Sequence, residues 1–268
     1  MSRYVATEIR KTVLEMAYAG SSVHIACAFS VVEILAVLYR NYLHYPDNDP
    51  VAPSRDYLVL SKGHGVMAQY ACLYERGWLS KNALDNYFGD GTELKGLSDA
   101  HIKGCEVTAG SLGHGLSVAV GLALAAKLAG TEQRCYVVAG DGEMNEGPMW
   151  EAMLFASHNR LDNLVVIVDK NGYQGLGKTS EILHLGNLQE KFVSFGFETL
   201  SVDGHAEPEI DRALHTLQQN ANGMPKAIIA NTVKGKGVSF MEDDNAWHYN
   251  RLTEETFRRA MTELEQGK

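Results

Sequence analysis

The sequence has little of what marks a secreted, membrane or nucleic-acid-binding protein. It holds only four cysteines, Cys27, Cys72, Cys105 and Cys135, and no C-x-x-C pair. That excludes a disulfide framework and a thiolate zinc site, and it fits the reduced thiols of a cytoplasmic protein. None of the ten histidines stands four residues from another, so the H-x-x-x-H spacing of a zinc site is missing as well. Basic residues are the minority, 24 against 33 acidic, for a net charge of −9. A nucleic-acid scaffold would be basic, so this balance excludes one while leaving room for local phosphate pockets. No apolar run is long enough to cross a membrane: the most apolar stretch, VAVGLALAAKLAG (118–130), is short, carries Lys127 and reads as a core helix. The opening MSRYVATEIRKTVLEMAYAG has charges every few residues and lacks the apolar centre of a signal peptide. No Pro/Gly/Ser-rich linker divides the chain, which points to one domain over residues 1–268.

What is present is alternation. Residues 4–19 and 30–43 carry helical apolar spacing, and the Pro- and Asp-rich segment 45–56 reads as loop. YLVLS (57–61) reads as a strand followed by a helix from His64 to Arg76, and 88–108 as a polar loop. After GSLGHG (110–115) and the apolar helix, CYVVAG, NLVVIVD, FETLS and KAIIAN alternate with helices near 148–159, 187–195 and 207–219. Buried apolar strands separated by amphipathic helices predict an α/β fold, a parallel sheet wrapped by helices.

One strand–helix–strand unit carries chemistry. Asp141 follows CYVVAG and Asn171 follows NLVVIVD, about thirty residues on. Pro148 suits a first helical turn, and Trp150, Met153 and Leu154 are expected to pack on the sheet. Met144, Met149 and Met153 read as core packing. Parallel strands end on the same edge of a sheet, so Asp141 and Asn171 are expected to face one crevice. A carboxylate and an amide oxygen are hard donors that suit Mg²⁺, which takes its remaining ligands from water and phosphate. Gly140 and Gly142 allow a bulky anion close to the backbone. Ordinary Asp and Asn turn residues are the bland alternative. A nicotinamide site is disfavoured, because the first strand–helix turn has no G-x-G-x-x-G.

The unit GDG…N resembles the thiamine diphosphate motif, and four further segments resemble the amino-terminal half of transketolase: SSVHIACAFSVVEIL, LVLSKGHG, SDAHIKGCEVTAGSLGHGLSVAVGLALA and VKGKGVSFMEDDNAWHYN. The resemblance covers roughly residues 8–250 and implies a set of roles. Asp141, Asn171 and the Tyr173 carbonyl would hold Mg²⁺ or another divalent cation such as Ca²⁺ or Mn²⁺. His64, Gly142 and His248 would meet the diphosphate, and Gly110 and Leu112 the aminopyrimidine. His24, His101 and His248 would line the substrate funnel and move protons on sugar hydroxyls, for which imidazole is apt. Lys234 and Lys236 would meet phosphate or stand as a solvated loop. His44, His158, His184, His205 and His215 lie outside the motifs and read as surface or core fillers, with His114 intermediate. Val23 and Ile25 replace the glycine and proline that flank the first histidine in the family, which alters backbone freedom there.

In the family, the glutamate that tunes the cofactor's pyrimidine lies in a following domain. The resemblance therefore implies a two-component transketolase moving a two-carbon ketol unit between sugar phosphates. A separate C-terminal subunit would carry the pyrimidine-binding domain in an α₂β₂ assembly, with Glu146 at the interface beside the cofactor. The alternatives are an E1 α-type subunit of a 2-oxoacid dehydrogenase, a fragment of a deoxyxylulose phosphate synthase, and a non-catalytic cofactor-binding regulatory subunit.

Overall fold

The computed structural model describes residues 3–267. The helices are α1 (Ala6–Ala19), α2 (Ile25–Phe29), α3 (Val32–Val37), α4 (Val66–Arg76), α5 (Lys81–Asp85), α6 (Gly115–Ala129), α7 (Gly147–His158), α8 (Thr179–Ile182), α9 (Leu188–Ser194), α10 (Glu207–Gln219) and α11 (Glu254–Glu265). The strands are β1 (Tyr57–Leu60), β2 (Cys135–Gly140), β3 (Leu164–Lys170), β4 (Tyr173–Gln174), β5 (Gly177–Lys178), β6 (Glu198–Asp203) and β7 (Lys226–Asn231). Five of them form a parallel sheet in the order β1-β2-β3-β7-β6, and β4 and β5 make a small antiparallel pair beside it.

β2 is buried along its whole length and β3 along all but Lys170. A strand covered on both faces needs this near-continuous apolar run. Alternate residues feed two cores. Val137, Val166, Val168 and Ile229 join the side chains of α6, α7 and α9; Tyr136, Val138, Ile167 and Ile228 join those of α1 to α4 and α10. The chain lays down β1, β2 and β3 in one direction, then crosses to the far edge and returns through β6, α10 and β7. β3 and β7 therefore meet where the winding reverses. Their carboxyl ends, with that of β2, form the crevice where open parallel sheets bind ligands.

Several expectations change. The helix expected over 30–43 is α3 followed by a wider π-type turn, Leu38–Tyr42. The expected elements leave out α11, an amphipathic helix that starts on a Thr253–Thr256 capping box and packs on α1. The apolar helix α6 is not wholly core: Leu116, Ala119, Val120 and Ala123 are buried, but Val118 and Leu128 are 44% and 79% exposed. Met149 and Met153 of α7, and Met144 in the turn before it, are buried as expected, whereas Leu154 is 60% exposed. At 3.6 residues per turn the inward stripe is Met149, Ala152, Met153 and Ala156, and Leu154 falls outside it. Among the described residues no helix is long and apolar enough to cross a membrane.

Candidate functional site

A cavity of about 370 Å³ opens at the carboxyl ends of β2 and β3. It brings together His24, His64, Gly110, Leu112, Asp141, Gly142, Glu146, Asn171, Tyr173, Lys234 and His248, residues spread over most of the chain. Parallel register makes this possible: Gly140 pairs with Asp169, so the residues just beyond each strand share one edge. The Asp141 N–H donates to the Asp169 carbonyl at 3.0 Å and extends the ladder past β2.

Asp141 is 3% exposed. Its Oδ1 accepts from the Gly142 N–H at 2.9 Å, and its Oδ2 from the Gly172 N–H at 2.9 Å and the Thr179 hydroxyl at 3.2 Å. Burial, and next the charge of Asp169, still raise its carboxyl to about 6. A buried carboxylate held high beside a second one is the electrostatic mark of a place that favours a cation. Among the described residues the Asn171 oxygen accepts only the Tyr173 N–H, at 3.0 Å, and keeps a lone pair. Asn145 Oδ1 and Gln174 Nε2, both on the cavity wall, are buried without partners. A Cβ on Gly142 would stand 2.7 Å from the Gln174 Cβ, so a side chain there would close the cradle. These hard oxygens and unpaired polar atoms fit a divalent cation bound to an anion.

Three imidazoles and two ammonium groups line the same cavity. The ring centres of His24, His64 and His248 lie 5.1 to 5.5 Å apart. Burial first, then Lys234, lowers His24 to about 4 and His248 to about 3; burial and Lys62 hold His64 well below its ordinary value. Lys234 is 1% exposed and donates to Asn245 Oδ1 at 2.7 Å and His248 Nδ1 at 2.9 Å. An ammonium only donates, so His248 Nδ1 is an acceptor and its proton rides on Nε2. The solvated-loop alternative for Lys234 is thereby corrected. Lys236 is 39% exposed beside Glu242 and stands off the cavity.

The sequence reading missed the polar layer beneath. Lys62, 1% exposed, pairs with Asp169, which is fully buried. Burial penalises both charges; each outweighs that for the other, so Lys62 is held above and Asp169 below its ordinary value. Glu143, 2% exposed, accepts from the Ser61 hydroxyl at 2.5 Å, the Gly113 N–H at 2.9 Å and the Gly140 N–H at 3.1 Å. It ties the end of β1, the glycine-rich loop and the end of β2 together. The available signal was a charge inside an apolar run, Asp169 in NLVVIVDK, and a lysine within LSKGHG. Cys27 also lies in the cavity, 3.5 Å from His248 Nδ1.

His101 is not brought to the cavity. Its side chain is 92% exposed and meets Asp99 at 2.7 Å. His114 is exposed just before α6. Glu146 is exposed at the cavity's lip, where its Cβ packs against Gly113, whose φ of +87° only glycine adopts readily. His205 is more than filler: it donates to Glu33 at 2.9 Å and accepts from the Val233 N–H at 2.8 Å. A larger groove of about 800 Å³ lies at the opposite ends of the strands. There Lys226 pairs with Glu198, and Asp56 accepts from the Arg134 and His44 N–H groups.

Residues 1–266 match the family described as transketolase, thiamine diphosphate binding domain. The chain belongs to the transketolase family. This transketolase chain is 41% identical to the 6-deoxy-6-sulfo-D-fructose transketolase subunit SqwG of Clostridium sp. (strain MSTE9), over 98% of its own length and 96% of that protein's. It is 40% identical to an apulose-4-phosphate transketolase subunit of Actinobacillus succinogenes, over 95% and 92%. Its fold matches the solved transketolase of Leishmania mexicana with a TM-score of 0.91 and 31% identity, covering 99% of this chain but 42% of that one. These matches favour transketolase over the dehydrogenase and over a non-catalytic regulatory role.

Proposed function

We propose that this chain is the diphosphate-binding subunit of a two-component transketolase, which transfers a two-carbon ketol unit from a ketose phosphate to an aldose. The observation that carries the reading is the meeting, at one cavity, of the Asp141–Asn171 oxygen pair with three neutral imidazoles. Asp141, Asn171 and the Tyr173 carbonyl would hold Mg²⁺ or a similar divalent ion, and His64, Gly142 and Lys234 the diphosphate. Gly110 and Leu112 would border the pyrimidine. Bound thiamine diphosphate supplies the nucleophilic carbon and the electron sink. The neutral ring of His24 accepts and returns a proton at a sugar hydroxyl, and His248, with its proton on Nε2, serves there as a hydrogen-bond donor. His101 is left out of this set because its side chain stands outside the cavity.

The remaining half is assigned to a C-terminal transketolase subunit with a pyrimidine-binding domain, in a cytoplasmic α₂β₂ assembly acting on sugar phosphates. Two facts support it: relatives of matching length carry the word subunit in their names, and Glu146 sits exposed at the lip of the cavity. The test is co-expression with the neighbouring reading frame and a screen of ketose phosphates with thiamine diphosphate and Mg²⁺. Ketol transfer is expected only when both chains are present. Ketol transfer at an ordinary enzyme rate by this chain alone refutes the two-component reading, and turnover of 2-oxoacids instead of ketoses refutes the transketolase assignment.

A further inference from the structure

Asp169 is the next-to-last residue of β3, two before Asn171, and donors surround its carboxylate. Oδ1 accepts from the Thr232 hydroxyl. Oδ2 accepts from the Ser30 hydroxyl at 2.6 Å, from the Lys62 ammonium, and from Asn171 Nδ2 at 3.0 Å. Lys62 also donates to the Cys27 carbonyl at 3.1 Å. A carboxylate offers only acceptors, so an amide lying against it must present its NH₂. Turning the Asn171 amide over would set its oxygen against the Asp169 oxygen and its NH₂ against the Tyr173 N–H. Both contacts would become repulsive.

We propose that the buried Lys62–Asp169 pair is a positioning device that locks the Asn171 amide with its oxygen, and not its nitrogen, presented to a divalent cation. This rests on reading Asp141 and Asn171 as the metal pair. The pair also explains why an acid so near the site is not itself a ligand. Four donors occupy its oxygens and one of them cancels its charge, so Asp141 remains the carboxylate that meets the ion. The lysine's bonds to the Cys27 carbonyl and the Ser30 hydroxyl add a second link, because they tie the segment bearing His24 to the strand tip bearing Asn171. Ion ligand and imidazole are thus held in register through one ammonium group.

The test uses the full chain, with Mn²⁺ and inorganic pyrophosphate as probes, read by calorimetry and by the paramagnetic resonance of bound Mn²⁺. Asp169→Asn is expected to weaken Mn²⁺ by about 10- to 100-fold, the usual effect of removing a group that orients a metal ligand. Thr232→Val removes a donor on the far oxygen and leaves the amide contact in place. It is expected to lower the melting temperature while keeping Mn²⁺ affinity within a few-fold. The exchange variant Asp169→Asn/Asn171→Asp presents an oxygen to the ion whichever way residue 171 turns, and is expected to recover most of the lost affinity. If Asp169→Asn does not fold, the Asn171 side-chain amide of the unaltered protein carries the test by NMR. A locked amide exchanges its protons slowly with or without Mg²⁺-pyrophosphate, and a freely exchanging one overturns the inference. Wild-type Mn²⁺ affinity in Asp169→Asn, with binding lost in Asp141→Ala, overturns the positioning role alone. Absence of Mn²⁺-pyrophosphate binding in the wild type, or its survival in Asp141→Ala, removes the metal reading and the inference with it.

Discussion

His24 has a left-handed backbone, φ 68° and ψ 20°, a region uncommon for residues other than glycine. Its N–H donates to the His248 carbonyl at 3.1 Å, and its own carbonyl accepts from Cys27 and Ala28 at 3.1 Å, so neighbours on both sides hold the strained residue. The ring faces His248 edge-on. Both imidazoles are depressed, to about 4 and about 3, first by burial and then by Lys234. In the unfolded chain they ionise near 6.5, so between pH 6.5 and 4 the unfolded state binds protons that the folded state refuses. Stability is therefore full above 6.5 and is lost as pH falls through the folded values. Urea midpoints of the cofactor-free chain should drop between pH 7 and 4.5. His24→Asn, which tolerates the left-handed conformation, should flatten that slope. An unchanged slope would show that His24 ionises freely in the folded protein. His24, His64 and His248 were legible because each sits in a quotable motif. The Lys62–Asp169 pair was not, since its members lie 107 residues apart and meet only through the sheet.

Among the elements, the central strands were the easiest to read, because burial on both faces demands the apolar runs CYVVAG and LVVIVDK. Helix exposure was harder to read. Which apolar residues of α6 and α7 face inward depends on a phase that apolar side chains all round the helix do not set. Joints between elements were also hidden. Arg10 of α1 grips Glu33 of α3 with two bonds, at 2.6 and 2.8 Å, and His205 ahead of α10 completes the contact. Burial would raise the Glu33 carboxyl, but the His205 hydrogen bond and Arg10 outweigh it and hold it at about 2. Arg10→Met leaves that carboxylate buried against His205 alone. It should cost about 3 kcal/mol or more in urea unfolding, as breaking a buried pair does. A loss no larger than that of a surface substitution would show that His205 and water compensate.

For the molecule as a whole, the unfinished part is its surface. Val118, Leu154 and Phe155 stand 44%, 60% and 47% exposed on the neighbouring helices α6 and α7. α6 follows the glycine-rich loop, α7 follows Glu146, and both helices pack into the same core. Apolar side chains left exposed on two packed helices are where an association surface is expected. Leu154→Asp should leave the melting of the isolated chain nearly unchanged, since the side chain contributes little burial here, and should abolish co-purification with the proposed second subunit. Normal co-purification would place the interface elsewhere.

By itself, the sequence determined the parallel α/β architecture, the strand–helix–strand unit that sets Asp141 and Asn171 on one edge, and most of the histidines gathered there. These are local matters: a strand's burial and a motif's spacing are written in consecutive residues. Only the tertiary structure decided that His101 stands outside the cavity, that Lys234 is buried against His248, and that Lys62 and Asp169 lie beneath the metal pair. Those outcomes depend on which distant segments meet and how far each is desolvated. Both follow from packing the two cores against the sheet, and no stretch of the chain carries that information alone.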